Sequence, residues 1–432
     1  MSIQSTKLSL SHKSIAEWKQ LLLLILVAMV VIYWRNPLFF IMPRVFAEEP
    51  GSYLLNALTR PLPSSLGFTM AGYFSIVPNF AAELAGKLFP LDLAAHVFTG
   101  IGLLVQLLTV ISIYFSVGRL LPNRKFSFLS AIFLLFIAKP ETWLNTVYSM
   151  YWLATGMFYL LNSRYIRRYH VFYAALAFLT GPTSLVLLPL FGLRWLIGYD
   201  KYDKWNKRIG LINVIGLTAL ILNLSLSFGF NTNASLGSRL APEMLRNLPR
   251  GFLSMFAHLF ASGGYPAPLA IFMLIASGTL IAKLLLSSEI RFRIFVGGSL
   301  VYYGFIVAVL SFDMQGGNRY ALPVTAGIFS MAVLGLGKTF RINSRDNRPG
   351  RIACFLFGLI LLMGNKVVEF HDFSGIYAAS NYNYDIAWPN WKEQIDNVDR
   401  SKGGVIWTFP QWEGTGLQGG DWQFVLPAGV GK

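Results

Sequence analysis

The feature that most constrains this chain is how often it turns apolar. Mostly apolar runs recur near residues 21–34, 94–117, 126–138, 151–161, 171–180, 182–193, 209–230, 267–286, 294–312, 320–337 and 352–363. A hydrocarbon layer ~30 Å thick is crossed by roughly 20 apolar residues at ~1.5 Å rise per residue. Several of the eleven runs are short for a full crossing, yet together they leave too little polar sequence to solvate a globular surface. Only 13% of residues are charged, 54% are hydrophobic, and the mean hydropathy is +0.53. The expected fold class is therefore an all-α polytopic membrane protein with about 11 transmembrane helices. The first run follows Lys7, Lys13 and Lys19 as in a signal peptide, but the nearest cleavage-like triplet, Val45-Phe46-Ala47, lies too far beyond Trp34. The run reads as a retained signal anchor with its amino terminus in the cytoplasm.

The formal charge of +16 would suggest nucleic acid as a partner in a soluble protein. Here it is topological. The alternate connections that this orientation places inside (1–20, 118–126, 162–170, 194–208, 283–293 and 338–351) hold 22 of the 36 basic residues and five of the 20 acids. Basic residues are retained on the cytoplasmic side, so the distribution supports the orientation and removes the case for nucleic acid. The one cysteine, Cys354, excludes an intrachain disulfide framework and a multi-thiolate metal site. The five histidines are scattered, and Gly337-Lys338-Thr339 imitates a phosphate loop without its first glycine, since Ala332 stands there.

The domain organisation expected is a membrane domain over 1–363 and a small external C-terminal domain over 364–432. Long outer segments cover 35–92 and 231–266. In the first, residues 51–58 and 71–88 carry apolar residues at helical spacing without the length to span, as interfacial helices do. In the tail, Asn390 suits an N-cap for a helix placing Trp391, Ile395 and Val398 on one face. Strands over 405–409 and 422–426 would complete an α+β cap. The fifth and sixth runs form a hairpin turning at Thr180-Gly181-Pro182-Thr183, either re-entrant from the cytoplasm or a tight loop at the outer surface. If re-entrant, the descending helix would aim free N–H groups at an anion.

No ionisable residue falls mid-span, which speaks against an ion-coupled pump. The neutral Gln106, Asn213 and Asn223 suit helix-to-helix hydrogen bonds. Acids collect at the outer ends instead. Glu48 and Glu49 are adjacent, and partial burial with mutual repulsion would raise one pKa toward general-base work; the bland alternative is two solvated loop acids. Glu141 and Asn145, four apart, would share a helical face and bind a polyhydroxyl ligand, or cap a helix. Arg319, in Gly316-Gly317-Asn318-Arg319-Tyr320, would face a phosphate or snorkel to the interface.

The order of these features resembles the GT-C superfamily of membrane glycosyltransferases, particularly a bacterial branch with an Ala-Glu-Asp-Gly motif in the first outer loop. Ala47-Glu48-Glu49-Pro50-Gly51 stands in that place, followed by Gly72-Tyr73 and Pro78, Glu141 with Asn145, the Gly181-Pro182-Thr183-Ser184 hairpin, and Arg319-Tyr320. Glu49 replaces the usual aspartate, and Asn79 stands where an arginine is common. The resemblance implies a bacterial plasma-membrane enzyme with an external C-terminus. It would move a sugar from a polyprenyl-phosphate donor to a glycan, lipid or protein acceptor at the outer face, inverting configuration. Glu48 or Glu49 would be the base, Arg319 and then Arg60 would hold the donor phosphate, and Tyr73, Glu141, Asn145 and Tyr320 would bind substrate. A divalent metal, Mg²⁺ or Mn²⁺, is neither required nor excluded. The rivals are a polyprenyl-linked glycan polymerase or ligase, and a lipid or solute transporter.

Overall fold

The computed structural model of the protein describes residues 3–35, 37–46, 48–70, 73–117, 124–138, 142–163, 166–198, 203–227, 267–286, 288, 296–310, 322–339, 390–407 and 423–429. The chain is mostly helical. The longer helices are α1 (Ile3–Arg35), α2 (Ile76–Glu83), α3 (Ala94–Val117), α4 (Arg124–Ile137), α5 (Ser149–Asn162), α6 (Arg168–Phe178), α7 (Leu188–Leu196), α8 (Asp203–Ser227), α9 (Ala267–Leu286), α10 (Gly298–Leu310), α11 (Leu322–Thr339) and α12 (Trp391–Asn397). Two antiparallel pairs accompany them. Strand β1 (Thr69–Met70) pairs with β2 (Tyr73–Phe74), and β3 (Gly404–Trp407) with β4 (Gln423–Leu426), placing Val405 opposite Val425.

Ten of the eleven apolar runs carry helix; the run at 352–363 and the outer segment 231–266 lie outside the described residues. Among the described residues, three stretches are long and apolar enough to cross a membrane: Glu17–Arg35, Leu91–Ser116 and Asp203–Leu226. Their side chains carry apolar residues on two faces. In α1, Leu24, Ala28 and Ile32 are buried at a spacing of four while Leu22, Leu26 and Val30 are exposed. In α8, Leu211, Val214, Leu217, Ile221 and Leu224 form an exposed apolar stripe. Contiguous apolar surface on that scale suits hydrocarbon and not water.

Helix α5 is the hub. All 14 of its residues are buried, because an all-round apolar sequence has no solvent face to offer. It packs against α3, α6 and α11. The Tyr173 hydroxyl of α6 lies 3.1 Å from Thr109 Oγ1 of α3 and donates to the Leu153 carbonyl at 3.1 Å, so a polar group between helices is satisfied. At the C-terminal end of α5, where carbonyls run short of intrahelical donors, the fully buried Arg194 donates to the Leu160 and Leu161 carbonyls.

The expected hairpin is present, with a difference. Helix α6 has 11 residues and the descending limb is broken: one turn, Pro182–Leu185, precedes α7. The anion-facing helix end expected at Pro182 is thus reduced to a single turn. Gly181 sits at φ 119°, a conformation that L side chains rarely adopt, and a Cβ there would come 3.0 Å from Met150 Sδ.

The first loop also departs from expectation at one point. Helical character begins at Ile76 rather than Ala71, because Tyr73 and Phe74 pair with Met70 and Thr69. Asn79, in the place of the expected arginine, is buried, and its amide donates to the carbonyls of Leu66 (2.9 Å) and Phe68 (2.8 Å). It ties off the end of the short helix Leu62–Leu66.

Gly102 on α3 meets the main chain of Leu144 and Asn145: a Cβ there would lie 2.6 Å from the Leu144 carbonyl carbon. Backbone cannot swing aside as a side-chain tip can. Gly102→Ala should therefore cost about 1–3 kcal/mol, while Gly100→Ala, with nothing within 4 Å, should cost under about 0.5 kcal/mol. Thermal denaturation of the two purified variants checks this, and equal midpoints would contradict the packing.

Candidate functional site

After α1, residues 37–46 lead to a wide helical turn, Glu49–Leu54, continued by Leu55–Thr59. Pro50 fits that first turn because the N–H it lacks would have no intrahelical partner there. Glu48 occupies the N-cap position and is half-buried, whereas Glu49 is fully buried with 0% exposure.

Burying a carboxylate demands donors, and Glu49 has three. Its Oε2 accepts from the Phe46 N–H at 2.7 Å, and its Oε1 accepts from the Thr146 N–H at 2.6 Å and the Thr146 hydroxyl at 2.7 Å. Thr146 lies 97 residues away, so this side chain joins the first loop to the connection between α4 and α5. Burial pushes the Glu49 carboxyl up from its ordinary 4.5 to about 7; the Thr146 and Phe46 donors and the positive charge of Arg44 pull the other way.

Residues 142–148 are a buried, irregular loop under tension. Leu144 holds φ at 50°, which costs a branched side chain roughly 1–2 kcal/mol. Several contacts secure it. The Thr142 carbonyl accepts from Trp152 Nε1 at 2.7 Å and Gln106 Nε2 at 3.4 Å, and Asn145 Oδ1 accepts from the Tyr148 N–H at 2.9 Å. From the first loop, Arg35 stacks over Trp143 at 4.9 Å and Phe46 meets Tyr148 edge-on at 5.3 Å. Strained backbone held by its surroundings is concentrated at functional sites.

The 180–183 turn belongs to the same end of the bundle. The Ile76 N–H donates to the Leu179 carbonyl (2.8 Å), the Ser75 hydroxyl to the Thr180 carbonyl (3.3 Å), and the Thr183 hydroxyl to the Met150 carbonyl (3.0 Å). The Phe74 N–H donates to Asn223 Oδ1 of α8 at 2.9 Å. Asn223 and Gln106, expected to join helix to helix, instead hold loops; Asn213 alone meets the expectation, donating to the Phe191 carbonyl of α7 at 3.2 Å. Tyr73 is half-buried beside Gly181, and Tyr53 is buried in edge contact with Phe68 at 5.6 Å. Burial pushes the Tyr53 hydroxyl well above its ordinary pKa, with Tyr73, Glu48 and Glu49 adding to the rise. Those four side chains are electrostatic neighbours.

Of the residues expected from sequence, Glu48, Glu49, Tyr73 and Asn145 thus fall within one neighbourhood. Glu141, Arg319 and Tyr320 lie outside the described residues. Asn145 is not on a helical face, since 142–148 is loop. Arg60 is exposed at the end of the Leu55–Thr59 helix, where its main-chain carbonyl accepts from Lys87 Nζ at 2.9 Å. The cation that acts on Glu49 is Arg44, buried with its guanidinium 3.7 Å over the Phe39 ring. Sequence reasoning passed over Arg44, and the flanking aromatics, Phe39, Phe40 and Phe46, were its only signal. Among the described residues no three metal-ligating side chains converge, and Glu49 is already engaged by three donors. The acidic pair does not by itself fit a metal site.

No family model and no curated protein matches the chain. Among solved structures, it is similar to the crystal structure of the Archaeoglobus fulgidus oligosaccharyltransferase in complex with Zn and sulfate. The TM-score is 0.41 and the identity 11%, over 79% of this chain and 53% of that one. This chain spans about half the length of that protein, and a likeness so low identifies neither a family nor an activity.

The raised carboxyl of Glu49 sets a pH dependence. Between about 4.5 and about 7 the folded chain holds a proton there that the unfolded chain has released, so this group's contribution to stability falls as pH rises through that window. The melting temperature of wild type should drop relative to Glu49→Gln between pH 5 and pH 8, and parallel curves would contradict it. Thr146→Val, which removes one donor and keeps the shape, should cost about 1–3 kcal/mol and steepen the wild-type trend.

Proposed function

We propose that the protein is a membrane glycosyltransferase of the GT-C type that moves a sugar from a polyprenyl-phosphate donor to an acceptor hydroxyl, with the first-loop acids at its reaction centre. The observation that carries this reading is the juxtaposition of Glu48, Glu49, Tyr53 and Tyr73 with the strained 142–148 loop at one end of the helix bundle. The charge asymmetry of the connections supports placing that end at the outer face of a bacterial plasma membrane, N-terminus inside and C-terminus outside. Lipid-linked substrates would reach it along the exposed apolar faces of the helices.

The two glutamates divide the work. A general base must reach the proton it takes, and geometry comes before pKa. Glu49 is enclosed and saturated by donors, so it positions the loop. Glu48, half-buried on the same turn, is the base. It takes the proton of the acceptor hydroxyl as that oxygen forms its bond to the anomeric carbon. The bond to the lipid phosphate breaks on the opposite side, and configuration inverts. The departing phosphate carries the negative charge away and needs a cation. Arg319 is the candidate proposed from sequence, while Arg44, enclosed against Phe39, acts on Glu49. Tyr73, Asn145, Glu141 and Tyr320 remain proposed substrate contacts, and no step passes through a metal.

General-base removal typically costs ~10²- to 10⁴-fold in rate. A deletion strain complemented with wild type, Glu48→Gln or Glu49→Gln should therefore separate the roles, with cell-surface glycans and lipid-linked sugars read by mass spectrometry. Glu48→Gln should accumulate the lipid-linked donor at normal protein level and melting temperature. Glu49→Gln should lower both glycan output and melting temperature. Full restoration by Glu48→Gln would sink the assignment of the base. A deletion that alters no glycan while abolishing a substrate flux would favour a transporter.

A further inference from the structure

The first loop is gripped from a second direction, by residues about 300 positions downstream. Trp391 opens α12, is 2% exposed, and donates its Nε1–H to the Leu91 carbonyl at 2.8 Å. Leu91 belongs to the turn that ends the first loop and leads into α3. The Trp391 ring lies 5.9 Å from Phe424 of β4, and β4 in turn packs against the Glu49–Leu54 turn in the first part of the loop. One small C-terminal unit therefore touches the loop at two places, some 40 residues apart in sequence.

The contacts are not equal in weight. Lys392 Nζ approaches Asp92 Oδ2 at 3.5 Å, but Lys392 is largely exposed and shared with Asp396 at 2.7 Å, so the pair is a weak anchor. Trp391 is a buried ring with its one polar atom satisfied, the form in which tryptophan holds an interface. Asn390 sets its direction, because its side chain accepts from the Glu393 N–H and fixes the start of α12.

We infer that Trp391 is a positioning residue: through Leu91 and β4 it holds the Glu48–Glu49 turn in register with the 142–148 loop. The inference concerns the order of the first loop; its consequence for glycan output rests on the glycosyltransferase reading. Glu49 fastens the turn from beneath and Trp391 closes it from the other end.

The test is hydrogen–deuterium exchange on the full-length protein in lipid nanodiscs, comparing wild type with Trp391→Phe, which keeps a smaller aromatic ring and loses the donor, and with Asn213→Ala as a distant control. Trp391→Phe should raise exchange about fivefold at residues 48–54 and 89–94, as expected for losing one hydrogen bond from a local opening equilibrium. Asn213→Ala should leave those segments unchanged. If exchange rises only within 390–407 and 423–429, Trp391 merely stabilises its own unit and the inference is overturned. It is also overturned if Trp391→Phe loosens the 48–54 turn yet gives full glycan output in a strain where Glu48→Gln does not. Where deletion itself alters no glycan, the exchange data alone decide.

Discussion

A carboxylate with no access to water is the interaction on which this end of the molecule depends. Glu49 cannot be buried without donors, and the one near in sequence, the Phe46 N–H, does not suffice. The chain meets the demand by bringing Thr146 from 97 residues away, which welds the first loop to the connection between α4 and α5. Removing either partner would leave a buried polar group uncompensated, a larger loss than the bond's own net contribution. The arrangement is accordingly stiff. Leu144 can hold an unfavourable φ because Gly102, Gln106, Trp152 and Glu49 surround the loop with contacts it cannot leave one at a time.

The same logic extends outward. The Tyr73–Ile76 segment spends its main-chain and hydroxyl groups on Asn223, Thr180 and Leu179, so the hairpin turn is held by the first loop and the first loop by the hairpin. Arg44 and Arg35 lie against aromatic rings, and this lets Arg44 approach the buried Glu49 in a dry environment. None of these contacts is large. Their effect lies in sharing partners, since displacing one element breaks the hydrogen bonds of two others.

Reading the residues in order recovered the elements better than their use. Helical runs, the Asn390 cap and the two C-terminal strands follow from periodicity and capping, which are local properties. The helical pairing of residues 141 and 145 did not survive, because 142–148 answers to Glu49 and Gly102 and not to its own spacing. Asn79, standing where an arginine is common, is a buried tie between two turns. Asn223 seemed glue between helices and is a bracket for a strand. In each case the side-chain chemistry was legible and the partner was not.

The sequence by itself determined that this chain is built of apolar helices with its basic excess sorted to one set of connections, and that an acidic pair follows the first of them. Those are matters of solvent: hydrocarbon-length runs and the distribution of lysine and arginine are written one residue at a time. Only the tertiary structure decided which glutamate is enclosed and which stays half-open. That difference arises from Thr146, Phe46, Arg44 and the loop around them. Burial is a property of the neighbours a side chain acquires on folding, so two adjacent identical residues could not be told apart before those neighbours were in place.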